Sequence, residues 1–382
     1  MKIKLLLIAI LMTNIAIAQQ TKQDSLMVVE RLLSPYNTNR LTIGGYAQID
    51  YNEPDGSAAG KLDVHRLVML FGYKFSDKVS FLTEIEYEHV KEVYVEQAFV
   101  NYNVNPNFNI KGGLMLVPMG IVNEYHEPPT FYGVERPGVD HDIVPTTWRE
   151  IGVGVSGKFD NLSLKYQAYI FNGFVSYKNG AGTLRGVDGL RKGRQKGAES
   201  IVSAPNLSMK FDYYGILGLK LGLSGYFGNT QTDDSSVDNS TVGVSMVGLD
   251  ARYVYNSLEL RGQYIYTSLS GTSGYNELTG KDLGSEMDGL YGEIAYDFMP
   301  LIYSNSNKKF VLFTRYEQFN THKQTGGDLV ANKAYDRNII TSGVDYKIAP
   351  GVALKADYQW FDNAAPDSDL KNLFNAGIGI MF

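Results

Sequence analysis

Residues 118–147 bring together five side chains whose types could bind a ligand or transfer a proton. They are His126, Glu127, Asp140, His141 and Asp142. A protein metal site usually presents ligands at a close, regular spacing such as His-x-x-x-His, which places two rings on one helix face. This segment has no such spacing. We therefore expect a solvated or lumen-lining loop and no metal site.

A hydrolytic site is the second chemistry that these residues allow. It would need a Ser or Asp beside His126 or His141, and Asp140 is the available acid. The sequence contains no Gly-x-Ser-x-Gly motif, no P-loop and no dinucleotide fingerprint. The absence of Cys excludes thiol catalysis, thiolate metal sites and disulfides. We expect no catalytic residue and no cofactor, and we keep a hydrolase only as an alternative.

A second group of ionisable residues recurs at alternate positions. Glu84, Glu86 and Glu88 would share one face of an extended strand. Like charges on one face repel each other unless cations such as Arg66 on a neighbouring strand offset them. The three carboxylates could therefore form an ion-selective surface or act as struts paired to the next strand.

The elements that position these residues have the period-two pattern of β-strands. In residues 41–51, apolar side chains alternate with Thr42, Gly44, Gln48 and Asp50. The same alternation recurs to the C-terminus, in segments 79–89, 206–213, 216–227 and 352–360. Gly112 and Gly113 fall inside a strand, where we expect a bend or a close approach.

The connections between these strands alternate in length. Short polar breaks near 76–78, 103–107, 159–161, 213–216, 255–257, 299–308 and 348–351 separate longer stretches near 52–62, 118–147, 173–203, 228–240, 268–286, 320–336 and 362–370. One link near 89–92 is short where a long one is expected. Short turns at one end and long loops at the other are typical of an up-and-down barrel, here with about 16 strands. The apolar face changes within 91–104 and 241–254, and a bulge near Met246 would reconcile the second change.

The N-terminus and the overall charge restrict the environment. Residues 1–18 combine two lysines, a short apolar run and an Ala-x-Ala ending, which predicts a secretory signal peptide. The run is shorter than the roughly 20 residues that a transmembrane helix needs. Residues 19–40 predict a short periplasmic lead-in, possibly helical. The formal net charge of −6 argues against a nucleic-acid partner.

Aromatic residues and the last strand point to a membrane. Rings cluster beside the short turns, as in the aromatic girdle of an outer-membrane barrel. The chain ends on an alternating strand with Phe382 as its last residue. This ending resembles the signal that the outer-membrane assembly machinery recognises.

The fold predicted for residues 41–382 is therefore an all-β, transmembrane, antiparallel barrel in the cell outer membrane. A barrel of about 16 strands is wide enough for a water-filled lumen. The expected function is a porin for small hydrophilic solutes or ions, narrowed by the third external loop, 118–147. A non-conducting adhesin or anchor barrel is the main alternative. The candidate lining residues are Arg66, Glu84, Glu86, Lys111, Glu124, His126, Glu135, Arg136 and Arg149.

Two short motifs carry a resemblance to a known family. The run Gly-Leu-Met-Leu-Val-Pro-Met-Gly at 113–120, followed by Glu135-Arg136-Pro137, resembles the phosphate-selective porin O and P family in its Bacteroidetes branch. The resemblance implies a homotrimeric porin of 16 strands with an inward-folded third loop. It also implies passage of anions such as phosphate past lumen Arg and Lys, with Arg136, Arg149 and Lys111 as first candidates. This chain departs from the family in mixing both signs on its lumen faces.

Overall fold

The computed structural model describes residues 39–366, 368 and 370–382. The predicted signal peptide and residues 19–38 of the predicted lead-in lie outside the described residues.

Sixteen antiparallel strands close into one barrel, in which each strand pairs with its neighbours along the chain and the first strand pairs with the last. The barrel strands are β1 (Leu41–Pro54), β2 (Lys61–Lys74), β3 (Val79–Glu88), β4 (Glu92–Asn105), β5 (Phe108–Leu116), β6 (Arg149–Phe159), β7 (Leu164–Phe171), β10 (Asn206–Ile216), β11 (Leu219–Asn229), β13 (Gly243–Tyr255), β14 (Leu258–Ser270), β15 (Glu286–Asp297), β16 (Lys309–Gln324), β17 (Asp336–Ala349), β18 (Val352–Asn363) and β19 (Leu373–Met381). This architecture confirms the predicted fold class and strand number.

The remaining elements are short and lie in the connections. A separate small sheet contains β8 (Val175–Lys178), β9 (Ala181–Gly182) and β12 (Gln231–Thr232). Among the described residues, the α-helices are α1 (Thr272–Thr279) and α2 (Met299–Ile302), and single helical turns cover Pro128–Thr130, Val139–Ile143, Asp160–Leu162, Arg191–Gly193 and Lys333–Tyr335. None of the helices in the described part of the chain is long and apolar enough to cross a bilayer.

Side chains alternate between the two faces of the wall, as the sequence predicts. In β16, Leu312 and Tyr316 are 40% and 45% exposed on the outer face, while Arg315 and Glu317 are fully buried on the inner face. Apolar side chains on an outer face fit an apolar surrounding phase. Rings beside the short turns also face outward, and Tyr73 packs edge-on against Phe75 with 4.9 Å between ring centroids.

The predicted bulge near Met246 is wrong. Strand β13 pairs with both neighbours without a shift in register, and Val244 and Met246 simply point inward while Leu249 points outward. The inward apolar pair belongs to the same buried cluster as Met119 and Ile121 of the loop after β5. The apolar residues change face because the inner face of β13 packs against this loop at one end of the strand.

A bulge does occur in β4, the other segment whose pattern changes face. Glu84 of β3 pairs with Gln97, whereas the next residue, Ile85, pairs with Val95. Glu96 is therefore the extra residue, and both Glu96 and Gln97 are buried on the inner face. A bulge redirects a side chain in this way without interrupting the sheet.

The close approach expected at the glycine pair is found at Gly113, which has φ +137°. A Cβ atom there would lie 2.7 Å from Cα of Phe99 and closer still to the carbonyl oxygen of Ala98. We expect Gly113→Ala to lower the free energy of unfolding by roughly 1–3 kcal/mol, because neither backbone atom can move away easily. Heat-modifiable electrophoretic mobility reports the change as a lower unfolding temperature of the barrel.

Gly292 is the matched control, since nothing lies within 4 Å of a Cβ atom built there. Gly292→Ala should leave the unfolding temperature of the barrel unchanged. Equal stability of the Gly113→Ala and wild-type barrels would contradict the close packing of β4 against β5.

Candidate functional site

The inner loop, defined as residues 118–147, lies inside the barrel and is held there by cationic side chains of the wall. The Lys355 ammonium on β18 donates to the carbonyl oxygens of Pro128 (2.6 Å), Gly133 (2.9 Å) and Phe131. On β10, Lys210 donates to the carbonyl oxygen of Gly120 at 2.6 Å. Strands from separate parts of the wall thus contact the same loop.

Polar side chains that accept hydrogen bonds complete this support. The carboxylate of Asp357 accepts from the backbone N–H of Val134 at 2.6 Å. The side-chain oxygen of Gln263 on β14 accepts from the N–H of Ile121, also at 2.6 Å. Buried backbone groups need such partners because they are removed from water. Wall residues of both signs therefore bind the inner loop, which accounts for the mixed charges of the predicted lumen faces.

One group of predicted residues meets beside β1. The hydroxyl of Tyr46 lies 2.9 Å from Oε1 of Glu84, 3.0 Å from Oε2 of Glu96 and 2.8 Å from Nε2 of His126. Tyr46 and Glu96 were not among the residues predicted from the sequence. The change of face within 91–104 was the available signal for Glu96, because it marks the bulge that turns this side chain inward.

The row of glutamates on β3 is divided among different partners. Arg66 on β2 lies 3.6 Å from Glu86, as the offset of like charges requires. Glu84 instead accepts a hydrogen bond from Gln97 at 2.6 Å and contacts His126. Arg149 on β6 lies 3.5 Å from Glu96. Glu84 and Glu86 are struts in these contacts.

A cavity of about 770 Å³ opens between the inner loop, the wall and the loops at the long-loop end of the barrel. It collects five of the predicted residues: Arg66, Glu86, Glu135, Arg136 and Arg149. It is also lined by Arg337 on β17 and by three loop cations, Arg191, Arg194 and Lys196, none of which was predicted from the sequence. These three lie in the loop between β9 and β10, where no periodic pattern indicates which side chains turn inward.

Two of the predicted residues have surroundings of a different kind. Glu124 of the inner loop forms an ion pair with Lys210 at 2.9 Å and accepts from Gln167 at 2.7 Å. Lys111 on β5 is half-buried, with its ammonium 5.5 Å from the centre of the Phe99 ring. The lining of the cavity, as far as the described residues form it, includes neither Glu124 nor Lys111.

The cavity cations from the loop between β9 and β10 bind neutral groups. Arg194 donates to the carbonyl oxygens of Pro145 (2.9 Å) and Thr147 (3.0 Å). Arg191 donates to the carbonyl oxygen of Thr146 at 2.9 Å. The ammonium of Lys196 lies 4.7 Å above the Tyr94 ring. The local positive charge is therefore not cancelled by direct ion pairs.

Burial and, to a smaller extent, the neighbouring cations lower the pKa values of two of these groups. Burial, followed by the neighbouring cation Arg191, lowers the pKa of Arg194 to about 9. Burial and nearby Arg66 lower the pKa of Arg136 to about 10. Both groups remain charged at neutral pH. Buried Nε atoms of Arg66, Arg136 and Arg149 make no hydrogen bond to any described residue.

The candidate hydrolytic residues are held by different partners. The carboxylate of Asp140 accepts from Gln263 at 3.0 Å. His126 contacts Glu84 and Glu96, whereas Nδ1 of His141 lies 2.7 Å from Oδ1 of Asp142. The hydrogen bonds of the described chain join Asp140 to neither histidine, so the arrangement that the hydrolase alternative would need is not assembled among the described residues.

Comparison with known proteins places the chain beside a protein of Aquifex aeolicus (strain VF5) that is described only as uncharacterized. The two are 32% identical over 357 residues, which cover 90% of this chain and 80% of the relative. The chain belongs to the family of this Aquifex protein. No protein-family model matches the sequence.

Solved outer-membrane proteins share the fold at low sequence identity. The chain is similar to the outer-membrane channel DcaP of Acinetobacter baumannii (TM-score 0.60, 14% identity, 90% of this chain and 97% of that one). It is also similar to an anion-selective porin of Comamonas acidovorans (TM-score 0.58, 12% identity, 90% of this chain and 99% of that one). A trimer form of OmpT, an outer-membrane protein of Vibrio cholerae, is similar too (TM-score 0.56, 12% identity, 90% of this chain and 99% of that one). The size of the barrel and these porin neighbours support an outer-membrane location.

We expect Lys355→Met to destabilise the barrel, because three buried loop carbonyls lose their donor. The free energy of unfolding should fall by about 1–3 kcal/mol, the usual cost of unsatisfied buried polar groups. Guanidinium unfolding followed by tryptophan fluorescence measures it.

Lys158→Met is the control, since this side chain is 49% exposed and pairs with Asp160 at the short-turn end. Its unfolding midpoint should match that of the wild type. An unchanged midpoint for Lys355→Met would contradict the claim that this lysine holds the inner loop.

Proposed function

We propose that this protein is an outer-membrane porin through which small hydrophilic solutes diffuse passively. The observation that carries the proposal is the cavity of about 770 Å³ inside the barrel, lined largely by charged side chains. Charged walls keep water and dissolved ions in a lumen, whereas an anchor barrel gains nothing from burying them. A passive conduit also needs no catalytic residue and no cofactor.

We further propose that the inner loop narrows this passage. Its backbone is bound by wall residues from β10, β14 and β18, so it crosses the lumen as a fixed obstruction. Prolines at 118, 128, 129 and 137 limit its conformational freedom. Solutes would pass along the open side of the loop, beside Glu135 and Arg136.

The passage would prefer anions, including phosphate. Three cavity carboxylates are neutralised by ion pairs: Glu86 with Arg66, Glu96 with Arg149 and Asp142 with Arg337. No salt bridge to a described residue is formed by Arg136, Arg191, Arg194 or Lys196. These four cations would attract anions into the passage, although carboxylates without a salt bridge to a described residue, Glu88, Glu135 and Asp362, also line it. The resemblance to phosphate-selective porins supports the same preference.

Several features of assembly belong to the same proposal. The trimer form of a similar Vibrio barrel supports a homotrimer. Phe382 is joined to Gly45 by two backbone hydrogen bonds that close the barrel, in keeping with a terminal strand that the assembly machinery would recognise. The outward apolar face would contact outer-membrane lipid.

Planar-bilayer recordings under a potassium chloride gradient test both parts of the proposal. We expect stable conductance steps, a reversal potential on the anion side, and reduced chloride current when phosphate is added. Replacing Arg194 and Lys196 together by Gln should lower the chloride-to-potassium permeability ratio about twofold or more, because two uncompensated charges leave the cavity.

Lys78→Gln in a short turn serves as the control and should leave the ratio unchanged, since Lys78 is exposed far from the cavity. Absence of any conductance would overturn the porin function. Steps without anion preference would retain the porin and reject the selectivity.

A further inference from the structure

A buried cluster of four side chains joins the inner loop to three strands of the wall. Tyr46 comes from β1, Glu84 from β3, Glu96 from β4 and His126 from the inner loop. Each of the four is at most 2% exposed. Glu96 reaches the cluster only because the bulge in β4 turns it inward, and bulges commonly redirect a side chain next to a functional site.

The separations of the polar atoms match those around a small metal ion. Nε2 of His126 lies 3.3 Å from Oε2 of Glu96 and 3.6 Å from Oε1 of Glu84. The Tyr46 hydroxyl lies 2.8–3.0 Å from all three atoms. Zinc binds nitrogen and oxygen at about 2.0–2.2 Å, so two ligands of a tetrahedral site are about 3.3–3.5 Å apart. The two distances from Nε2 of His126 to the carboxylate oxygens are close to this spacing.

With the His126 ring neutral, the cluster has too few hydrogen-bond donors for its acceptors. Nδ1 of His126 lies 3.2 Å from the carbonyl oxygen of Asn123, which can only accept, so Nδ1 carries the proton. In the neutral ring, Nε2 is then an acceptor that faces two carboxylate oxygens. The Tyr46 hydroxyl has one proton for these three acceptors.

The other carboxylate oxygen of Glu96 has incomplete hydrogen bonding, although Glu96 also pairs with Arg149. Oε1 of Glu96 is buried and accepts no hydrogen bond from any described residue, and its nearest cation, Arg149, is 3.5 Å away. Arg66 faces Glu86 at 3.6 Å, so it does not neutralise Glu84 directly. A proton on Nε2 would supply one charge. A dication would supply two, and its attraction to both carboxylates is correspondingly larger.

We propose that Glu84, Glu96 and His126, with Tyr46 beside them, bind a divalent transition-metal ion such as Zn²⁺. Carboxylate and imidazole ligands suit zinc. The bound ion would link the inner loop to β3 and β4 and would stabilise the folded barrel, since the unfolded chain cannot assemble the site. This site departs from the sequence expectation of no metal, which was based on spacing within the inner loop alone.

Equilibrium dialysis tests the site on the full folded protein in detergent. The protein is stripped with EDTA and then exposed to Zn²⁺ alone. We expect about one tightly bound zinc per chain and a higher unfolding temperature. The variants His126→Ala and Glu96→Gln should each weaken zinc binding by at least about tenfold, since ligand loss costs no less than loss of a supporting group.

His89→Ala is the matched control. The rings of His65 and His89 lie 5.3 Å apart near the long-loop end, where zinc could bind adventitiously. Zinc that is lost in His89→Ala but retained in His126→Ala would overturn the proposal, as would the absence of tight binding to the wild type.

X-ray absorption of the zinc-loaded wild type keeps the proposal falsifiable if the variants fail to fold. A four-coordinate nitrogen and oxygen shell with an imidazole signal is expected, and a six-oxygen, water-like shell would contradict it. Bilayer conductance is measured separately from zinc binding, so a failure of the metal site can be distinguished from a failure of the porin function.

Discussion

A loop that enters a barrel carries backbone groups away from bulk water, and these groups must find hydrogen-bond partners there. The wall supplies them through Lys355, Lys210, Asp357 and Gln263, which reach the inner loop from different sides. A buried ammonium is tolerated when several carbonyl oxygens surround it, as around Lys355. The position and rigidity of the inner loop, and the charges of the wall residues that bind it, follow from this one requirement.

The same loop explains why the inner wall is not uniformly polar. Met119 and Ile121 of the loop share a buried cluster with Val244 and Met246 of β13, so apolar residues occupy both faces of that strand. Polar contacts dominate on the side of β1 and β3, where Tyr46 and Glu84 meet the loop. The open cavity lies at the long-loop end, where cations without salt bridges remain exposed to solutes.

Much of the fold could be predicted from the sequence because each strand separates two different environments. That constraint imposes a period of two residues along each strand. The number of strands, sixteen, and the place of the inner loop between β5 and β6 could therefore be predicted. Arg66 followed from the same alternation, whereas Arg136 was selected from its place in the third external loop and from the family resemblance. Arg194 could not be selected because a loop has no period, and Glu96 was missed because a bulge shifts the period by one residue. Their positions depend on tertiary contacts to Thr147 and His126.

We propose that water and ions pass beside the inner loop, and because the sequence contains no cysteine, single-cysteine modification can test this passage. A charged, membrane-impermeant thiol reagent is applied during bilayer recording to Glu135→Cys, on the cavity, and to Thr314→Cys, on the outer face of β16. We expect a stepwise change in current for the first variant and none for the second. Modification at position 135 that leaves the current unchanged would contradict it.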